Sequence, residues 1–307
     1  MDIPERYEDV TAEWLTQALR AGGVLDGRAV SGFQVEPLGA DRSRTSSLAR
    51  IAVEYDGNPD GLADSLFAKF VSRIPGNREF VAQSDLFRRE IALHESLGNT
   101  IQLNMPLLYF GLAREGSDVA VLLLEEIKAK SKADLPIEQR PLTPSEASLA
   151  LSELSKMHAR WWEDRALQGY PWLRPVDSEG RRSLYRLYSE AWAGMRDALA
   201  PVLTPAELQI CDGLSSYLPT VMSELNRMPI TLCHGDFNLG NLLWDELGEP
   251  GTVWAVDWQL PTREPAVIDV AWFVGLGVSR RDLHLVRQEY LPGYHRALVA
   301  HGATGYD

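Results

Sequence analysis

An α+β chain of two lobes, a small antiparallel-sheet lobe followed by a mostly helical one, is the fold class that this sequence predicts. Three observations carry that expectation. The 307 residues exceed the roughly 250–300 at which one hydrophobic core stops growing. A hydrophobic share of 45% with 24% charged residues suits folded cores. Period-2 alternation dominates the early part of the chain and helical spacing the later part.

Element by element, the pattern is as follows. Residues 11–22 predict a helix opening at Thr11 as cap, with Glu13 behind it and Trp14, Leu15, Ala18 and Leu19 on one face. "SSLARIAVEY" alternates, placing Ala49, Ile51, Val53 and Tyr55 on one side; "DGNPDG" turns the chain, and "SLFAKFV" returns it as an antiparallel partner. "SDLFRREIALHESLG" predicts a helix capped near Ser84 and stopped by Gly98. "VAVLLLEEI" is short, apolar and rich in valine and leucine, which predicts a buried strand. The polar stretch "KAKSKADLPIEQRPL" is the candidate junction, with residues 1–125 forming the first lobe and 126–307 the second. Thr143, Pro144 and Glu146 compose a capping box with proline at the first helical position, ahead of Ala147, Ala150, Leu151, Leu154, Met157 and Trp161 at helical spacing. The remainder is helical apart from "ITLCHGDFNLGNLLWDELGEPGTVWAVDW", which predicts strand, loop, strand, turn, strand.

Charge narrows the partners. A formal net charge of −13, with no compensating run of Lys and Arg, argues against a nucleic-acid partner and gently favours a cationic or neutral small substrate. Two cysteines, Cys211 and Cys233, provide no disulfide framework and fit a reducing compartment; Cys233 reads as a small buried hydrophobe. The N-terminal "MDIPERYEDV" lacks the apolar core of a signal peptide. "VAVLLL" and "VIDVAWFVGLGV" are too short to span a membrane, and the second contains Asp269. The expectation is a cytoplasmic protein with no membrane partner.

The polar residues of "CHGDFNLGNLLW" interrupt two apolar runs where a sheet should end. Asp236 and Asn241 stand five apart across a loop containing Gly240, and Asp257 follows Asp236 by 21 positions at the end of the third strand. Two carboxylates and an amide oxygen offer hard ligands that suit Mg²⁺, and no His or Cys set has zinc spacing. With Asn241 and Asp257 on the metal, Asp236 stays free to accept a proton from an attacking hydroxyl, the division of labour that phosphoryl transfer requires.

"HGDFNLGN" resembles the H-G-D-x-x-x-x-N catalytic loop of aminoglycoside phosphotransferases and choline-kinase-like small-molecule kinases, itself similar to the catalytic loop of protein kinases. "AVDWQ" resembles the metal-binding aspartate segment of the ecdysteroid-kinase-like branch. The resemblance implies a two-lobe protein-kinase-like fold that uses ATP and Mg²⁺, with a small-molecule hydroxyl as acceptor. Carried over residue by residue, it makes Asp236 the catalytic base, Asn241 and Asp257 the metal ligands, and His234 a brace for the loop. It also implies Lys69 in "SLFAKF" as a phosphate contact, paired with Glu90 of the next helix. In "VLLLEEI" it implies a hinge at Glu125, Glu126 and Ile127 that holds adenine through the backbone. Asp269 in "PAVIDVAWFV" becomes the aspartate tying its helix to the catalytic loop.

The phosphate-covering loop belongs around "LGADRSRTSSLARI", which carries one glycine, Gly39. Ser43, Thr45, Ser46 and Ser47 offer hydroxyl donors to phosphates in place of bare backbone; the competing reading is a solvated turn with Arg42 and Arg44 exposed. The chain stops at Asp307, earlier than the resembled branch commonly does: it is either trimmed or naturally short, and only the second would leave the acceptor side open.

Blander roles compete at several positions. Lys69 shares its strand face with Phe67 and Val71 and so calls for an anionic partner. Glu95 rivals Glu90 for that place. His158 reads as a structural histidine, and Trp161 and Trp162 as packing; Trp258 either lines the site or belongs to the core. Two other classes use similar groups, a kinase-like nucleotide-binding protein without phosphotransfer (or transferring the nucleotide moiety) and a metal-dependent phosphohydrolase. The joint presence of Lys69, Asp236, Asn241 and Asp257 favours an active phosphotransferase, and a hydrolase leaves Lys69, Glu90 and the hinge strand without purpose. The D-W-Q segment tilts the acceptor toward a bulky apolar alcohol, steroid-like or another natural product, over an aminoglycoside or choline-like amine. Nothing in the sequence fixes the oligomeric state.

Overall fold

The computed structural model describes residues 1–38, 45–114, 117–132, 142–175, 178–245 and 251–305. Helix α1 (Ala12–Ala21) starts where expected because the Thr11 hydroxyl accepts the Trp14 N–H at 3.1 Å, satisfying one of the free donors of the first turn. Its Trp14, Leu15, Ala18 and Leu19 are buried. Strands β1 (Val30–Leu38), β2 (Ser46–Tyr55) and β3 (Ser65–Val71) are followed by helices α2 (Pro75–Ser84) and α3 (Leu86–Leu97), then β4 (Leu108–Ala113) and β5 (Ala120–Glu125). The five strands form one antiparallel sheet in the order β1-β2-β3-β5-β4.

Alternation along β3 divides the lobe into two cores. Leu66, Ala68 and Phe70 join Ile51, Val53, Val121 and Leu123 under α1, whereas Phe67 and Val71 face Leu122, Leu124, Phe87 and Ile91 on the α3 side. Each fully buried aliphatic or aromatic side chain contributes about 1.5–3 kcal/mol, so both faces of the sheet are held. Lys69 points into the second, α3-facing side.

Several elements differ from expectation, strand β4 among them, which the sequence reading did not name. The helix predicted from Ser84 is the second of a pair: Ser84 ends α2, and Asp85, at φ 59° and ψ 32°, turns the chain into α3 without a side-chain cap. Asp tolerates this left-handed conformation better than most residues. Strand β1 escaped the pattern because Gly32 and Pro37 interrupt it; proline is tolerated there because β1 is the sheet edge.

After β5 comes β6 (Lys130–Ser131), whose two residues pair with Trp244 and Leu243 far along the chain. Residues 133–141 of the polar junction, and Gly39, Arg42, Ser43 and Arg44 of the loop before β2, lie outside the described residues. Helix α4 (Pro144–Arg160) carries the predicted box: Glu146 Oε2 accepts the Thr143 N–H at 2.7 Å and the Thr143 hydroxyl accepts the Glu146 N–H at 3.3 Å. After β7 (Arg174–Pro175) come α5 (Glu179–Leu199) and α6 (Pro205–Leu225), joined by Arg196 to Asp212 at 2.7 Å. Strands β8 (Thr231–Cys233), β9 (Leu242–Trp244), β10 (Val253–Ala255) and β11 (Thr262–Glu264) then build two three-stranded sheets, β10-β9-β6 and β7-β11-β8. Helices α7 (Val267–Gly277), α8 (Leu283–Leu285) and α9 (Leu291–Ala300) complete the lobe, with Leu154, Met157 and Trp161 in one buried cluster with Tyr294 and Leu298. Trp162 packs against that cluster, as expected of it. Among the described residues no helix is long and apolar enough to cross a membrane.

Candidate active site

Lys69 is 4% exposed, yet its ammonium is fully satisfied: Nζ donates to Glu90 Oε1 at 2.9 Å, Glu90 Oε2 at 2.7 Å and Asp257 Oδ1 at 2.7 Å. An ammonium has three N–H donors, so these contacts use all of them. Burial works against the charge, but Asp257 and Glu90 together hold Lys69 above its ordinary lysine value. Glu90 also accepts the backbone N–H of Trp258. The rival Glu95 is exposed. One turn beyond Glu90, burial and the charge of Lys69 push the His94 imidazole down to about 3.

Helix α3 is fastened to the second lobe by the neighbour of Glu90. Arg89, 2% exposed, donates through Nε to the Trp172 carbonyl at 3.2 Å and through Nη2 to the Pro261 carbonyl. Burial, with Arg174 adding to it, lowers this guanidinium to about 10.

The segment after β8 is tied by Asp269, at the start of α7. Its Oδ2 accepts the His234 N–H at 2.7 Å and its Oδ1 the Gly235 N–H at 2.9 Å. Burial alone would raise this carboxyl; the hydrogen bond from His158 and the backbone donors hold it below the usual carboxylate range. His158 bridges Asp269 at 3.3 Å and the Tyr294 hydroxyl at 2.6 Å, the structural role expected of it. Cys233 comes close to both His158 and Asp269, but it is fully buried with its Sγ against the Glu264 carbonyl, a core residue. Gly235 sits at φ 81°, and a Cβ there would lie 1.9 Å from the Leu260 carbonyl oxygen, so glycine alone fits between histidine and aspartate. His234 spans the loop: Nδ1 accepts the Asp236 N–H at 3.3 Å, and Nε2 donates to the Val256 carbonyl at 3.1 Å.

The β9–β10 hairpin brings the remaining residues to one end. Leu242 pairs with Ala255, and Val256 N–H donates to the Asn241 carbonyl at 2.9 Å, so Asn241 and Asp257 flank the same open end. Asn241 Nδ2 donates to Asp236 Oδ2 and to its carbonyl, both at 2.9 Å. Asp236 Oδ1 accepts from Asn238 Nδ2 at 2.8 Å and from Trp272 Nε1 at 2.6 Å. Asp257 itself adopts φ 64°, a left-handed backbone that carries a strain of about 1–3 kcal/mol. Trp258 is buried in the core, its ring centroid 4.3 Å from that of His234, and Nε1 donates to the Ala255 carbonyl at 3.0 Å; it packs and does not line the cleft.

The two candidate serines separate. Leu48 pairs with Lys69 and Ser46 with Val71, which places Ser46 on the lysine face of the sheet. Ser47 pairs with Phe70 on the opposite face, so its side chain turns away from Lys69. At the hinge, Glu125 N–H is taken by the Leu107 carbonyl at 2.8 Å, and Glu125 Oε2 accepts the Leu107 N–H at 3.2 Å. A cleft of about 400 Å³ opens beside Glu125, Glu126 and Ile127 toward Tyr109 and Trp254; its walls include none of Lys69, Asp236, Asn241 or Asp257.

Three further polar residues belong to the site. Asn238 and Trp272 hold the Asp236 carboxylate, and Gln259, two positions past Asp257, reaches the first lobe through Thr45 and Ser46. The "DWQ" motif contains a signal for Gln259; Trp272, in the apolar run "VIDVAWFVGLG", carries none.

Comparison with known proteins agrees with this architecture. Residues 43–304 match the profile of the ecdysteroid kinase-like family. A stretch of 83 residues is 32% identical to an uncharacterized kinase-like protein of Caenorhabditis elegans, covering 27% of this chain and 22% of that protein. This chain thus spans about a fifth of that curated relative. Among solved structures, a GDP complex of an aminoglycoside 2′-phosphotransferase superposes over 95% of this chain and 87% of its own, at a TM-score of 0.52 and 14% identity. A macrolide 2′-phosphotransferase from Brachybacterium faecium does so over 96% and 85%, at a TM-score of 0.51 and 14% identity. At such identities the likeness is one of fold, and the fold is the two-lobe, protein-kinase-like α+β architecture.

Proposed function

The chain belongs to the ecdysteroid kinase-like family, and from that premise we propose that it transfers the γ-phosphoryl group of ATP to a hydroxyl of a small molecule, with Mg²⁺. The observation that carries this reading is the junction of Lys69 with both Glu90 and Asp257, which links β3, α3 and the D-W-Q turn at one buried cation. Residues 1–125 would form the nucleotide lobe and 126–307 the catalytic and acceptor lobe.

The donor set fits the metal. Asn241 uses its Nδ2 toward Asp236, which leaves its amide oxygen for a cation, and Asp257 offers Oδ2 while Oδ1 meets Lys69. Bound there by Asn241 and Asp257, Mg²⁺ would neutralise phosphate charge. Lys69 would contact the phosphates by exchanging one of its present acceptors, Ser46 would present its hydroxyl beside them, and the backbone of Glu125 and Ile127 would hold the base. Asp236, fixed by Asn238, Asn241 and Trp272, would orient the acceptor hydroxyl. The acceptor oxygen bonds to Pγ as the bond to the β–γ bridging oxygen breaks; ADP leaves with that electron pair and the hydroxyl proton passes to Asp236.

The surface beside the base supports an acceptor that is bulky and largely apolar. Trp272, 48% exposed, and Leu276, 58% exposed, stand one turn apart on α7, and Trp272 touches Asp236 directly. Titration calorimetry with ATP, with and without Mg²⁺, and ATP turnover with a panel of alcohols test the whole reading. Wild type should bind only with Mg²⁺. Asp236→Asn should keep that affinity within about twofold and lose turnover by at least about 100-fold. Folded wild type that binds no nucleotide removes the kinase, binding without transfer to any alcohol points to a non-transferring nucleotide protein, and turnover that survives Asp236→Asn removes the base.

A further inference from the structure

Gln259 is 4% exposed and has both ends of its amide engaged across the lobe boundary. The Thr45 hydroxyl donates to Gln259 Oε1 at 3.0 Å, and Gln259 Nε2 donates to Ser46 Oγ at 3.4 Å. These bonds join residues more than two hundred positions apart, with separations of 214 and 213. Thr45 and Ser46 are the exit of the loop expected to cover the phosphates, and Ser46 begins β2 on the face that holds Lys69. On the other side, Gln259 lies two residues after Asp257, whose carboxylate meets the same lysine.

We propose that Gln259 is a positioning residue for nucleotide phosphates: its amide latches Thr45 and Ser46, at the start of β2, to the turn that carries Asp257. The inference rests on the kinase reading above. Its physical basis is the planarity of the amide, which offers an acceptor and a donor in one rigid group, so both hydroxyls are set together relative to Lys69 and Asp257. Hydroxyls already held by the amide lose less side-chain freedom when phosphates bind beside them, and that saving appears as affinity for the phosphate-bearing part of the ligand alone. The base and ribose, held elsewhere, do not sense it.

The test compares Mg²⁺ with a non-hydrolysable ATP analogue against adenosine, by calorimetry, in wild type, Gln259→Leu, Thr45→Val and the double variant. Leu approximates the volume of Gln, and Thr45→Val changes a half-buried hydroxyl, so the second variant reports even where the first fails to fold. Gln259→Leu should weaken the analogue about tenfold and Thr45→Val about threefold, with adenosine unchanged within about twofold. The double variant should be no weaker than Gln259→Leu, because both remove one latch. Unchanged analogue binding in the single variants, or equal weakening of adenosine, overturns the latch while leaving the kinase intact. Wild type that binds neither ligand removes the kinase reading and the latch with it.

Discussion

The two carboxylates at the heart of the site are held in opposite ways. Asp257 meets a buried ammonium that is shared with Glu90, in a cluster assembled from positions 21 and 188 apart. Asp236 is half-buried and receives only neutral donors, two of them two and five residues away and the third from Trp272. The first arrangement sets one buried ammonium between two carboxylates, Glu90 buried and Asp257 partly exposed, so removing Lys69 leaves two like charges facing each other and removing Glu90 leaves the ammonium with a single, less buried partner. The second keeps its carboxylate reachable and is fastened by bonds that each contribute about 1 kcal/mol. On the proposed reading the charged cluster would serve the nucleotide and the neutrally held carboxylate the acceptor.

That contrast can be broken from either end. The largest effect should come from Glu90→Gln, which leaves Lys69 with a single carboxylate in the interior. Breaking a buried pair costs about 3–5 kcal/mol, and because Asp257 remains, urea unfolding should report a loss near 3 kcal/mol. A loss below 1 kcal/mol would mean that the cluster is not compensated as described. On the other side, Trp272→Phe keeps an apolar ring on α7 and removes one donor from Asp236. Turnover should fall by about 3- to 10-fold with stability changed by under about 1 kcal/mol. A stability loss as large as that of Glu90→Gln would erase the distinction between the two sides.

The smallest effect concerns His94, beside the lysine cluster. Its folded value of about 3 lies below the unfolded value near 6.5, so between those limits the unfolded chain binds the extra proton. The associated stability is therefore complete above about pH 6.5 and declines as pH falls toward 3. His94→Leu should flatten unfolding stability between pH 7 and pH 5 relative to wild type. Identical pH slopes in the two proteins would show that the imidazole does not lie in the environment described.

What could be read along the chain was whatever depends on near neighbours. Thr11 caps α1 and Thr143 pairs with Glu146 because their partners lie three residues away. Alternation put Ala49, Ile51, Val53 and Tyr55 on one face of β2, and the first three are buried. Asp236 and Asn241 were recognisable because their bond closes a five-residue loop. The break at Asp85 was hidden because α2 buries only Val81 and so has no apolar stripe. The opposed faces of Ser46 and Ser47 follow from the pairing register of β2 on β3, which adjacent letters do not reveal.

Residue types and short spacings were enough to specify the helix caps, the strand faces and the identity of the acidic and amide groups, since each of those rests on covalent proximity and on a 2.0 or 3.6 residue period. The choice of Glu90 over Glu95, the anchoring of α3 by Arg89, the bond from Trp272 to Asp236 and the reach of Gln259 to Thr45 came from packing. Those contacts join segments tens to hundreds of residues apart, and their geometry exists only once both lobes have buried their cores and brought the segments within the 3 Å or so that a hydrogen bond spans.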